Sequence, residues 1–194
     1  PYSLATEAED MLAQGEFMPG IMTLGDVLEE KGYRQMFLCG SDGNFGGRKT
    51  YFERHGNYEV FDLFSARAAG YIPDDYFVWW GFEDKILYEI AKEKVSEMAK
   101  EDGPFNFTML TVDPHHIDGY ICDECKNEYS SVTANVMACT DNLLNEFVTW
   151  CRQQEFFVYI VIIISGDHPR MDTSLVEGQT YYDRTIYNCF INSA

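Results

Sequence analysis

A β-branched apolar run ends in two residues able to bind metal: Ile162-Ile163-Ile164-Ser165-Gly166-Asp167-His168. A buried strand of this kind delivers Asp167 and His168 at its carboxyl end, the edge where ligands sit in open α/β sheets. A carboxylate and an imidazole are both good ligands for a divalent cation such as Zn²⁺ or Mn²⁺. Gly166 lets the backbone turn sharply just before them. The competing reading is an Asp–His pair that only hydrogen-bonds across a loop, and Gly166-Asp167-His168 alone does not separate the two.

Two further clusters follow apolar runs. Thr111-Val112-Asp113-Pro114-His115-His116 places two imidazoles past a second expected strand. Adjacent histidines point in different directions, so at most one is expected to face a cavity shared with Asp167. Gly40-Ser41-Asp42-Gly43-Asn44-Phe45-Gly46-Gly47-Arg48 follows a third. Gly-rich loops expose backbone N–H groups, and Arg48 has the planar fork that binds phosphate bidentately. No Gly-Lys-Ser/Thr follows, so this is not a Walker A loop, and taken alone the glycines are better explained by a plain turn.

The elements that must carry these residues alternate between strand and helix. Thr23 with Asp26 resembles a capping box opening a helix, with Leu24, Val27 and Leu28 on one face and Gly32 at its end. Met36–Cys39 reads as a short buried strand, and a short helix follows the Gly-rich turn and ends near His55-Gly56. The pattern predicts a helix from Gly81 to Glu101, with Leu87, Ile90, Ala91, Val95 and Met98 on its apolar face. A strand over Phe105–Val112 and a helix over about Ser131–Gln153 come next, the latter with Val136, Leu143, Phe147 and Cys151 in register. Phe157–Ile164 reads as a central strand buried on both faces. The fold class expected is α/β, a layered α/β/α sandwich around a mostly parallel or mixed central sheet. All four candidate residues (Arg48, His115, Asp167 and His168) then fall at one sheet edge and are expected to line one site.

The formal charge of −18 over 194 residues argues against nucleic acid or an anionic membrane surface as partner. The longest apolar run, Phe156–Ile164, is too short to span a bilayer. Six cysteines are present. A single CxxC pair, Cys122 and Cys125, does not specify a zinc site by spacing. Cys39, Cys151 and Cys189 sit in apolar contexts and read as core thiols. Two of Cys122, Cys125 and Cys139 are expected to be bridged if the domain works outside the cytoplasm.

Several motifs in one order resemble a known family. They are Leu24-Gly25-Asp26-Val27-Leu28, Gly40-Ser41-Asp42 with Phe45-Gly46-Gly47-Arg48, and Tyr51-Phe52 with His55-Gly56-Asn57-Tyr58. Trp79-Trp80-Gly81-Phe82-Glu83-Asp84, Leu110-Thr111-Val112-Asp113-Pro114-His115 and Ser165-Gly166-Asp167-His168-Pro169 complete the series. Over about residues 22–194 the chain resembles the sulfatase-type catalytic domain of lipoteichoic acid synthases and phosphoglycerol transferases, in the alkaline phosphatase superfamily.

The resemblance implies a metal-dependent transferase acting through a covalent phospho-threonine. One divalent metal ion (Mn²⁺, Mg²⁺ or Zn²⁺) is implied, with Asp167 and His168 among its ligands and with His115 and Arg48 on the substrate phosphate. It implies a phosphoglycerol-type lipid donor, a glycan or polymer acceptor, and a location on the extracellular face of the membrane or in the periplasm. The parent protein would be membrane-anchored through helices preceding this chain. Cys39 stands where lipoteichoic acid synthases carry a histidine, which leaves the head group open, and Pro114 replaces a threonine of many relatives. Sulfate-ester or phosphodiester hydrolysis and phosphoethanolamine transfer share the architecture, and a non-catalytic glycan-binding domain is the rival from another class. Residues 1–194 then form a partial catalytic domain, with the nucleophile and acidic ligand expected upstream of Pro1. Ser3, Thr6 and Thr23 qualify as nucleophile only by residue type and none is assigned. The chain alone is accordingly expected to be inert.

Overall fold

The computed structural model describes residues 17–171 and 175–193. The chain divides into two compact units, Pro1–Val112 and Asp113–Ala194.

In the first unit, three parallel strands form a sheet in the order β2-β1-β3: β1 (Arg34–Cys39), β2 (Glu59–Phe61) and β3 (Phe105–Leu110). β1 is central and almost wholly buried. Phe37 and Cys39 on one of its faces pack with Tyr58, Phe52, Val60 and Leu110, and the Phe37 and Phe52 rings stack at 3.9 Å. Alternation turns Met36 and Leu38 to the other face.

Among the described residues, four helices pack on this sheet. α1 (Leu24–Glu30) opens with the expected capping box: the Thr23 hydroxyl accepts from the Asp26 amide at 3.2 Å, and the Thr23 amide donates to Asp26 Oδ2 at 2.7 Å. α2 (Arg48–Arg54) and α3 (Leu63–Ala68) lie against β2, and α4 (Asp84–Lys100) lies against β1 and β3. α4 buries Leu87, Ile90, Ala91, Val95 and Met98, the face that periodicity indicates. It starts three residues later than expected, because Gly81 is engaged in a tight turn with Val78 and Glu83 is its N-cap. Buried Gln35 is satisfied on all sides. It donates to the carbonyls of Gly25 and Gly56 and accepts from Asn106, tying α1, the end of α2 and β3 together.

The second unit holds α5 (Val132–Arg152) and an antiparallel pair, β4 (Ile162–Ser165) with β5 (Asn188–Ile191). Ser131 caps α5 by accepting from the Ala134 amide at 3.3 Å. Val136, Cys139, Leu143, Phe147 and Cys151 form the buried stripe of α5.

The expectation of a two-face-buried strand over Phe157–Ile164 is corrected here. Residues Glu155–Tyr159 form a 3-10 turn, and only Ile162–Ser165 is strand. The Asn192 side chain explains the break: its amide donates to the carbonyls of Phe157 and Ile160 at 2.7 and 2.8 Å, withdrawing both from any ladder. β4 alternates half-buried and exposed positions and pairs with β5, whereas β1 and β3 share a different sheet. The expectation of one sheet edge for all four candidates therefore becomes, among the described residues, two separate sheets. β-branched runs look alike in sequence whichever sheet they join.

Candidate functional site

Asp167 and His168 leave β4 in the way metal ligands are commonly held. The Asp167 carboxylate accepts the His168 amide through Oδ1 at 2.9 Å. His168 Nδ1 lies 3.0 Å from the Pro169 carbonyl. A carbonyl only accepts, so Nδ1 carries a proton, and in the neutral ring Nε2 keeps its lone pair. Asp167 Oδ2 and His168 Nε2 then converge at 3.5 Å. Two donors about 2.1 Å from one ion at a tetrahedral angle lie about 3.4 Å apart, so this pair fits a divalent cation. Both side chains are more than half exposed.

His115 repeats the device. Its Nδ1 faces the His116 carbonyl at 2.7 Å, which orients Nε2 away from the loop. The loop bearing it is fixed to the His168 loop by Arg170, whose Nη1 donates to the Pro114 carbonyl at 2.5 Å, while Arg184 donates to the Arg170 carbonyl at 2.7 Å. The structure thus brings the Asp113–His116 and Asp167–Arg170 segments together within the second unit. Sequence reasoning passed over Arg170 and Arg184. The only signal was a cation directly after Asp167-His168-Pro169. Gly119 is required by close approach: a Cβ there would collide with the Asp113 carbonyl and Val136. The Tyr120 amide closes the same turn on the Asp113 carbonyl at 2.8 Å. Further along, Cys125 is bridged to Cys139, and Asn135 holds Asn127 and both backbone groups of Tyr129.

Arg48 belongs to the first unit, at the carboxyl end of β1. Its Nη2 donates to Ser41 Oγ and to the Asp42 carbonyl, at 3.0 and 2.8 Å, and its Nε to the Phe45 carbonyl at 3.0 Å. These bonds preorganise the guanidinium and leave the two Nη1 donors for a ligand. Asp62 braces the same loop: Oδ2 accepts the Gly43 amide at 3.1 Å, while Oδ1 caps α3 through Phe64 and Ser65. Gly81 abuts Gly40, and a Cβ there would run into the Gly40 carbonyl. Burial pushes the Cys39 thiol up, against the opposing pull of Arg48, so it is a neutral donor to the Ser41 carbonyl at neutral pH. Asp62 and the buried Asp84, whose carboxylate takes the Val112 amide at 2.8 Å, were not singled out from sequence, since a lone Asp carries no spacing signal. Thr23 is occupied as the α1 cap, and Ser3 and Thr6 lie outside the described residues. A cavity of about 380 Å³ lined by Phe17, Asp26, Arg54 and His55 contains none of the candidate residues.

The family model described as Sulfatase matches residues 2–188. The chain belongs to the sulfatase family. A relative named phosphoglycerol transferase I, from Xanthomonas campestris pv. campestris (strain B100), is 31% identical over 182 residues, covering 90% of this chain and 26% of its own length. A relative of the same name from Citrobacter koseri is 29% identical over 164 residues, covering 81% of this chain and 21% of its own. The chain thus spans about a quarter of the length of these relatives. Among solved structures, an alkaline phosphatase superfamily protein from Vibrio parahaemolyticus aligns with a TM-score of 0.72 at 23% identity, over 89% of this chain and 41% of that one. The lipoteichoic acid synthase LtaP from Listeria monocytogenes aligns with a TM-score of 0.65 at 17% identity, over 90% and 46%. These likenesses establish the α/β fold of this sulfatase-family chain. No helix among its described residues is long and apolar enough to cross a membrane.

Proposed function

We propose that this chain supplies part of the active site of a metal-dependent transferase that moves a phosphoglycerol-type group from a lipid donor to a cell-envelope glycan or polymer. The observation that carries the reading is the convergence of Asp167 Oδ2 and His168 Nε2 at 3.5 Å, each held by the backbone through its other polar atom. The two relatives named phosphoglycerol transferase I support the choice of transferred group.

In this reading Asp167 and His168 hold one Mn²⁺, Mg²⁺ or Zn²⁺ ion. The bound ion would lower the pKa of an attacking hydroxyl and offset the charge on the phosphate oxygens. Two protein ligands are fewer than the three usual at a catalytic zinc, so the reading requires, beyond Asp167 and His168, the acidic ligand and the threonine nucleophile that the resemblance implies. His115 and Arg48 each carry donors suited to phosphate oxygens, Nε2–H of His115 when its ring is protonated and the Nη1 hydrogens of Arg48. Arg170 acts through Pro114, setting the position of His115. The parent protein works on the extracellular face of the membrane or in the periplasm.

The test is phosphodiester turnover by the whole protein with a phosphatidylglycerol donor, with and without Mn²⁺, Mg²⁺ and Zn²⁺. The expected result is metal-dependent release of diacylglycerol that His168→Ala abolishes. Absence of any metal-dependent turnover by the whole protein would transfer the assignment to a glycan-binding domain.

A further inference from the structure

Three cysteine sulfurs meet beside the loop that follows His115. Cys125 and Cys139 are bridged. Cys122 keeps a thiol, with its Sγ 3.5 Å from Cys125 Sγ and 3.9 Å from Cys139 Sγ. Cys122 and Cys139 are buried and Cys125 is half-buried. The Cys125 amide donates to the Cys122 carbonyl at 3.2 Å, a turn that keeps both CxxC sulfurs on one side. Such spacing leaves the Cys122 sulfur at van der Waals contact beside the bridge, and exchange requires a side-chain rotation that brings it into line behind Cys125 Sγ.

We propose that Cys122 is a resolving thiol for this bridge. Its thiolate attacks Cys125 Sγ, forming a Cys122–Cys125 bond as the Cys125–Cys139 bond breaks. The electron pair leaves on Cys139 Sγ, which takes up a proton equivalent to the one Cys122 gave away. One thiol and one disulfide stand on each side of the step, so no oxidant or reductant is consumed. An external thiol reaches the same end by attacking the half-buried Cys125, expelling Cys139, and being expelled in turn by Cys122. The site is thus a modification site for small thiols that clears itself.

The two pairings differ in what they hold. Cys125–Cys139 clips the loop following His115 to the middle of α5. Cys122–Cys125 is a ring local to that loop and releases α5. Other ties of the loop, among them the Gly119–Val136 contact and the Asn135 bonds to Asn127 and Tyr129, are noncovalent. The inference stands apart from the proposed transferase reaction, since it needs only the three sulfurs.

The test is disulfide mapping of the full chain after incubation at about pH 8.5, where a thiolate fraction exists, with a trace of a monothiol. Samples are quenched in acid, denatured, alkylated at low pH and mapped by mass spectrometry. Two isomers are expected: Cys125–Cys139 with Cys122 labelled, and Cys122–Cys125 with Cys139 labelled. In Cys122→Ala the Cys122–Cys125 isomer cannot form, and Cys139 labelling should occur only in molecules that carry the monothiol on Cys125. Cys139→Ser, oxidised with glutathione disulfide, should close the Cys122–Cys125 bridge as two glutathione thiols are released, with circular dichroism reporting its fold. If that variant unfolds, the wild-type map decides. Finding only the Cys125–Cys139 isomer at every time overturns the inference. So does finding three unlabelled thiols around one zinc ion that a chelator removes.

Discussion

The loop after β1 and the loop after β4 both carry residues expected to meet a phosphate or a metal, yet they are held in opposite ways. The Gly40–Arg48 loop leaves a buried strand and is braced from three directions, by Asp62, by its own Arg48 and by the Gly81 backbone. Asp167 and His168 leave a half-exposed strand, and their side chains are oriented by their own backbone. A group that only positions phosphate is best fixed before the ligand arrives. A ligand pair that completes its shell with groups from other segments is held by those groups and by the ion as well, so it needs less support from its own strand.

The sharpest way to break this contrast is His168→Ala. It should abolish metal-dependent turnover of the whole protein, by about a thousandfold or ~4 kcal/mol, without moving the urea midpoint, since the side chain is exposed. A large midpoint shift would show that the β4 loop bears fold stability. Next, Leu38→Ala, at a fully buried site in β1, should cost about 3 kcal/mol in urea unfolding. Ile163→Ala in β4 should cost less than ~1 kcal/mol, because Ile163 is largely exposed. Equal costs would erase the distinction between the strands. Asp62→Ala should cost about 1–2 kcal/mol through the lost α3 cap, and it should weaken phosphate binding by loosening the Gly43 turn.

The smallest effect is a pH dependence in the braced unit. Tyr71 donates to Glu93 at 2.7 Å, and that bond to the carboxylate pushes its phenol up to about 12. The folded value lies above the unfolded one of about 10, so the added stability is complete below pH 10 and lost between about 10 and 12. Tyr71→Phe should flatten stability across that window, as followed by denaturation at each pH. An unchanged slope would show that the bond does not form in solution.

The first unit was largely legible because its signals are local. The Thr23 cap, the spacing of Leu87, Ile90, Val95 and Met98, and the glycines flanking Arg48 each act within a few residues of themselves. The second unit was legible at α5 for the same reason. It failed at Phe157–Ile164, where the deciding group is Asn192, more than thirty residues away. The candidate residues were found by type at strand ends. What fixes them, Arg170 on Pro114 and Asp62 on Gly43, was invisible, because one side chain reaching a distant backbone atom leaves no periodicity. The choice of Cys125 and Cys139 as the bridged pair was likewise open until the three sulfurs were placed.

Gly81 has a further consequence, in the language of the genetic code. The Phe82 amide bonds the Gly40 carbonyl at 2.9 Å, which draws the two segments so close that a Cβ at Gly81 would overlap that carbonyl. Every other coded residue has a Cβ, so position 81 has an alphabet of one letter. No missense codon change there is a small step, and drift must stop at this residue. A saturation library scored for folded protein should therefore recover only synonymous codons at position 81.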